Sequence, residues 1–159
     1  MKNKKQPPMS ALCVAQPWAS CIIEHGKNVE NAGTNLRRRG TIAIYASKSK
    51  AKWRFEACKD EYGIDLQWDD LPKGAIIGFV DIVEVIQDYT VTKATKKWFQ
   101  PGHYGYVLRD PILLKKPVPA SPPNGAIKFW HLKGKALRDS LKQVPAARRA
   151  KFKEWKIPE

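Results

Sequence analysis

Apolar positions along the chain fall into short segments whose period alternates between two and about 3.6. Ala11–Ala15 is a short apolar run of buried-strand type, and Pro17 follows where a helix can begin, since the first helical residue needs no N–H. Trp18, Cys21, Ile22 and His25 recur at helical spacing, and Gly26 supplies a left-handed stop. Val29 resumes extended structure, and Thr41–Tyr45 (TIAIY) is β-branched and alternating enough for a strand. Residues 49–62 predict a helix with Ser49 as N-cap, Trp53 and Ala57 inward, and Gly63 just past its end. Ala75–Ile86 predicts a long buried strand in which Gly78 marks a bulge or bend. Tyr104–Leu114 and Ala126–Leu132 add two strands joined by the proline-rich Lys116–Gly125, and the tail from Gly134 reads as basic helix split by Pro145. The pattern is α+β and mainly β. It predicts a small β-barrel with flanking helices, because closure removes exposed edges, with a small sandwich as the alternative.

Length and charge then narrow the picture. A chain of 159 residues predicts one domain. Residues 1–8 read as a disordered basic lead ending at Pro7-Pro8, residues 9–133 as the domain, and residues 134–159 as a basic helical extension. Lys and Arg number 29 against 15 Asp and Glu, a net charge of +14. A field of that sign attracts polyanions, so nucleic acid is the expected partner and an anionic membrane surface the competitor. No apolar signal core follows the basic start, and no segment is long enough to span a bilayer, so no membrane association is expected. Cys13, Cys21 and Cys58 form no CxxC pair and are odd in number, which fits reduced thiols in the cytoplasm. His25, His103 and His131 lack zinc-ligand spacing, so neither a metal nor a cofactor is expected; a monomer is.

Gln16-Pro17-Trp18-Ala19, Gly26-Lys27, Val29-Glu30-Asn31, Arg39-Gly40 and Ala46-Ser47-Lys48 form an ordered set, continued by LPKGAIIGFVDIVEV (71–85), Gly105-Tyr106-Val107-Leu108 and the strand ending at Leu132. This set resembles the ASCH family over roughly residues 9–133. The resemblance implies a PUA-like barrel with a cleft beside its helices, and RNA ahead of DNA as the partner. It also leaves open a nucleic-acid enzyme, either a ribonuclease or an N4-acetylcytidine-type amidohydrolase, and a coactivator-like interaction module, since one fold hosts many functions. Two cations usual in the family are missing: Ala15 stands before Gln-Pro-Trp, and Ala32 follows Glu-Asn.

Lys27 and Glu30 are the sharpest chemical pair. Strand alternation around an inward Val29 turns Glu30 to the opposite face, and Lys27 can swing toward it from the Gly26 turn. A desolvated lysine can act as a base beside an orienting carboxylate; the bland reading is an ion pair that holds a turn. In a catalytic reading Tyr45 and Lys48 are the helpers. The resemblance places a threonine nucleophile where Glu30 stands, and a carboxylate substitutes poorly for a hydroxyl in amide hydrolysis. Arg37, Arg38 and Arg39, with Lys48 and Lys50, read as phosphate ligands, and Tyr45 as an interleaved aromatic. His103, Tyr104 and Tyr106 cluster with Trp98 and Phe99 around Pro101-Gly102, either as a flap that stacks a base or as a hydrophobic plug. Gln16, Trp18 and Asn31 read as support for the cleft, Trp53 as core, His131 as structural, and the tail as an accessory RNA-gripping helix.

Overall fold

A computed structural model describes residues 6–124, 126 and 128–159. Most of the basic lead, and Gly125 and Ile127 at the start of the last expected strand, lie outside the described residues. The elements run β1 (Met9–Val14), α1 (Trp18–Glu24), β2 (Val29–Ala32), β3 (Gly40–Ala46), α2 (Lys52–Tyr62), β4 (Ala75–Ile86), β5 (Tyr104–Pro119), β6 (Phe129–Leu132), α3 (Gly134–Lys142) and α4 (Ala146–Arg149).

The class is α+β. One six-stranded mixed sheet has the order β2-β5-β4-β3-β1-β6, with β1 parallel to β3 and the other pairs antiparallel. The expected closure into a barrel does not occur. The outermost strands, β2 and β6, have four residues each, and no ladder joins them. Closure needs a continuous staggered ladder around the ring, whereas very short edge strands are another way to limit an open edge.

The ladders on either side of β4 are interrupted instead. β4 pairs with β3 on one side and β5 on the other, and its register slips on both sides around Ile77, beside Gly78. A Cβ on Gly78 would collide with the Ile112 carbonyl and the Ile23 side chain, so glycine lets β5 and α1 approach this point. A second slip places Asp110 at φ 53, in the left-handed region, opposite Val80.

β3 is buried along its whole length because both faces of the sheet are covered. Ile42, Ile44 and Ala46 join Leu12, Ile22, Val80 and Tyr106 in one apolar cluster, under α1. Ala43 and Tyr45 join Phe79, Trp130, Leu132, Leu137 and Val144 in another, under α3. A third cluster, Cys21, Val29, Cys58, Ile86, Trp98, Phe99 and Val107, joins α1 and α2 to the β2 end of the sheet.

The tail does not stand away from this core. Phe152 packs on Phe79, Trp155 packs on Phe129, and Arg39 pairs with Lys156 through backbone hydrogen bonds of 2.8 and 3.0 Å. Lys153 N–H donates to Thr41 Oγ1 at 2.9 Å, and its ammonium lies 3.6 Å from Asp81. Thr41 in turn donates to the same carboxylate at 2.5 Å.

The expected helix at 49–62 starts later, at Lys52 after Ala51. Ser49 does not cap it; its carbonyl and hydroxyl accept from Arg54 Nη2 at 2.6 and 3.3 Å. Trp53 is not core either, since its side chain is 65% exposed. α2 buries only Cys58, so the helix leans on the third cluster through one narrow stripe and turns Trp53 outward.

Candidate functional site

Gly26, at φ 74, ends α1 as expected, and the Lys27 N–H closes the turn on the Cys21 carbonyl at 3.0 Å. That turn delivers Lys27 into the protein rather than to solvent: it is only 5% exposed. Its ammonium donates to the Val29 carbonyl, lies 3.9 Å from Glu30 Oε2, and sits 5.9 and 5.8 Å from the ring centres of Trp18 and Trp98. Two indole faces and a carboxylate stabilise the cation in this partly desolvated place. Val29 is fully buried, and Glu30 faces the cleft as alternation predicts.

The cleft has a volume of about 220 Å³ and is lined by Trp18 of α1, Glu30 and Asn31 of β2, Trp53, Glu61 and Tyr62 of α2, and Gln100. Trp53, Ala57 and Glu61 are spaced by four and share one helix face, which forms a wall. Tyr62 stacks on Trp98 at 3.9 Å and meets Trp18 edge-on at 6.0 Å. Burial, with Glu61 adding, pushes the Tyr62 phenol up.

Of the residues expected to support the cleft, Trp18 and Asn31 line it, whereas Gln16 precedes α1 without lining it. Gln16 is fully buried; its amide donates to Ser20 Oγ and to the Pro72 carbonyl, both at 2.9 Å, and accepts from the Ser20 N–H at 3.0 Å. Arg54 Nε donates to the Gln16 carbonyl at 3.1 Å, which ties α2 to the start of α1. Asn31 donates to the Trp98 carbonyl and accepts from the Gln100 N–H, both at 2.9 Å. The aromatic segment is therefore a plug: Trp98 and Phe99 are buried, and Asn31 pins it to β2.

Other expected site residues are dispersed. Tyr45 lies in the cluster under α3, edge-on to Trp130 at 5.6 Å, and burial pushes its phenol up, so it cannot assist Lys27. Tyr106 is buried, with its hydroxyl donated to the Thr34 carbonyl at 2.9 Å, so its ring presents no free face for a base. Lys48 lies against Gly74, and Lys50 lies 5.6 Å from the Trp68 ring centre; neither lines the cleft. His103 is exposed at the turn before β5, and His131 is exposed on β6.

Two of the three arginines of the run line a second concavity. Arg37 and Arg39 line about 420 Å³ of surface together with Tyr89, Tyr104 and Gln87. Arg39 Nη1 donates to the Leu36 and Arg38 carbonyls at 2.7 and 2.9 Å, and Arg38 reaches the Trp155 carbonyl at 3.5 Å. Trp53, Glu61, Tyr62 and Tyr89 escape sequence reasoning as site residues; the four-residue spacing from Trp53 to Glu61 is the signal that could have found part of the wall.

Among the described residues no group of three or more His, Cys, Asp or Glu side chains could hold a metal ion, and no helix is long and apolar enough to cross a membrane. No family model matches the chain, and no curated protein matches it.

Proposed function

We propose that this chain is an ASCH-like RNA-binding module that holds single-stranded or looped RNA without catalysis of its own. The carrying observation is the surface where Arg37 and Arg39 share one concavity with Tyr104 and the exposed Tyr89, on a chain of net charge +14. Arginine forks hold phosphates there, and the tyrosine rings offer faces to unpaired bases. DNA is the weaker partner in this reading, and the cytoplasm, where three thiols stay reduced, is the place of action. In the PUA-like likeness, the open sheet with its flanking helices takes the place of a closed barrel. A catalytic role has less support, because the helpers it would need, Tyr45 and Lys48, do not line the Lys27 cleft.

The test is fluorescence anisotropy with labelled single-stranded RNA over a salt series. With about four phosphates held, log K against log salt slopes near −3, and the Arg37→Ala variant lowers the slope by about 0.7. Binding indifferent to salt, or none at low salt, overturns the proposal.

A further inference from the structure

The Lys27 cleft is chemically unlike the rest of this basic chain. Its charged lining is one lysine and two carboxylates, Glu30 and Glu61, and its walls are Trp18, Trp53 and Tyr62. A phosphate entering it would face both carboxylates and find its one cation already engaged by Val29, Glu30 and two indoles. The cleft suits a flat body with apolar faces and hydrogen-bond donors along one edge.

Glu30 sharpens that description. Among the described residues its buried Oε2 accepts no hydrogen bond, although the Lys27 ammonium lies 3.9 Å away. Folded protein tolerates few such atoms, and a ligand donor would satisfy this one. A carboxylate can accept two neighbouring N–H groups, while an ammonium with one N–H spent on Val29 can still donate to an oxygen beside them. The Asn31 amide is committed on both atoms to the Trp98–Gln100 segment, so it does not read the ligand.

Among RNA bases this order of groups is particular. Guanine carries O6, N1–H and the N2 amino group in a row on one edge, an acceptor followed by two donors. Adenine and cytosine each offer one exocyclic donor beside a ring acceptor, and uracil offers one N–H between two carbonyls. We propose that the cleft takes a single unstacked guanine, with O6 on Lys27, N1–H and N2–H on Glu30, and a face against Trp53. Aromatic stacking holds any base, whereas the carboxylate edge discriminates. The proposal rests on the reading that the chain binds RNA.

Its test uses the full chain and uridine-rich oligomers that differ at one central base. Guanine in that position binds about tenfold or more tightly than adenine, cytosine or uracil. Inosine, which lacks the N2 amino group, falls between guanine and the others; O6-methylguanine, which lacks N1–H, loses the advantage. Glu30→Gln brings the guanine-to-uracil ratio close to one. Trp53→Ala, at an exposed position, weakens the guanine oligomer while leaving the melting temperature nearly unchanged. Equal affinities across the base series, or a cleft filled instead by a trimethyllysine peptide, overturn the guanine site and leave RNA binding standing. No binding to any RNA at low salt overturns both.

Discussion

Gln16 serves three partners from one fully buried amide: the Ser20 N–H and hydroxyl, and the Pro72 carbonyl. Alanine there would leave several buried polar groups unpaired and open a small void. Urea denaturation of Gln16→Ala is expected to report a loss of about 2–4 kcal/mol. The thiols behind the cleft make a second residue-scale point. The sulfurs of Cys21 and Cys58 lie 3.6 Å apart between α1 and α2, and burial pushes both thiols up. The raised group keeps its proton where the unfolded chain has lost its own. Its contribution is therefore whole below the ordinary thiol range and lost as pH rises above it. Denaturant stability of the wild-type chain should fall as pH rises above about 8.5. The Cys21→Ala/Cys58→Ala variant should show a shallower fall; equal slopes would place the pH dependence in other groups.

Elements are positioned here by close backbone approaches that only glycine allows. Gly40, at φ 139, begins β3, and a Cβ on it would collide with the backbone of Lys153 and Glu154. The tail segment can therefore lie directly on the start of β3, where Thr41 and Asp81 hold Lys153. Gly40→Ala would force these segments apart and strain the backbone as well. Limited proteolysis is expected to cut this variant within residues 150–156 several-fold faster than wild type while the rest of the chain stays resistant. A cut rate equal to wild type would mean that the tail is not held by this approach. α2 is the opposite kind of element: it is fixed through Cys58 and the Arg54–Gln16 bond, which leaves Trp53 free for the cleft wall.

At the scale of the whole molecule, a net charge of +14 acts on stability and on binding with opposite signs. Like charges repel across the folded surface, and seven ion pairs among the described residues include few that are well buried. Exposed pairs of this kind contribute little, so the repulsion is largely uncompensated. Raising salt from about 0.05 M to about 0.5 M screens it and should raise the melting temperature of the free chain by a few degrees. The same change should weaken the proposed RNA complex through counterion release. A melting temperature that falls with salt would show that the charges are arranged as a stabilising network instead.

What the amino-acid order determined by itself is local. β4 was legible from end to end, because a β-branched run, buried on both faces from Ala75 to Ile82, needs no partner to be recognised. So were the Gly26 stop after α1, the bulge beside Gly78, and the break at Pro145, since each follows from the backbone character of one residue type. Alternation about Val29 likewise placed Glu30 in the cleft beside Lys27. Tertiary structure decided the rest. Whether the sheet closes depends on pairing between strands far apart in the chain, and the four-residue β2 and β6 leave it open. Trp53 and Tyr106 exchanged their expected places because an aromatic residue fits a core and a cleft equally well. Only the packing of α2 and β5 chooses between them, leaving Trp53 exposed and Tyr106 enclosed.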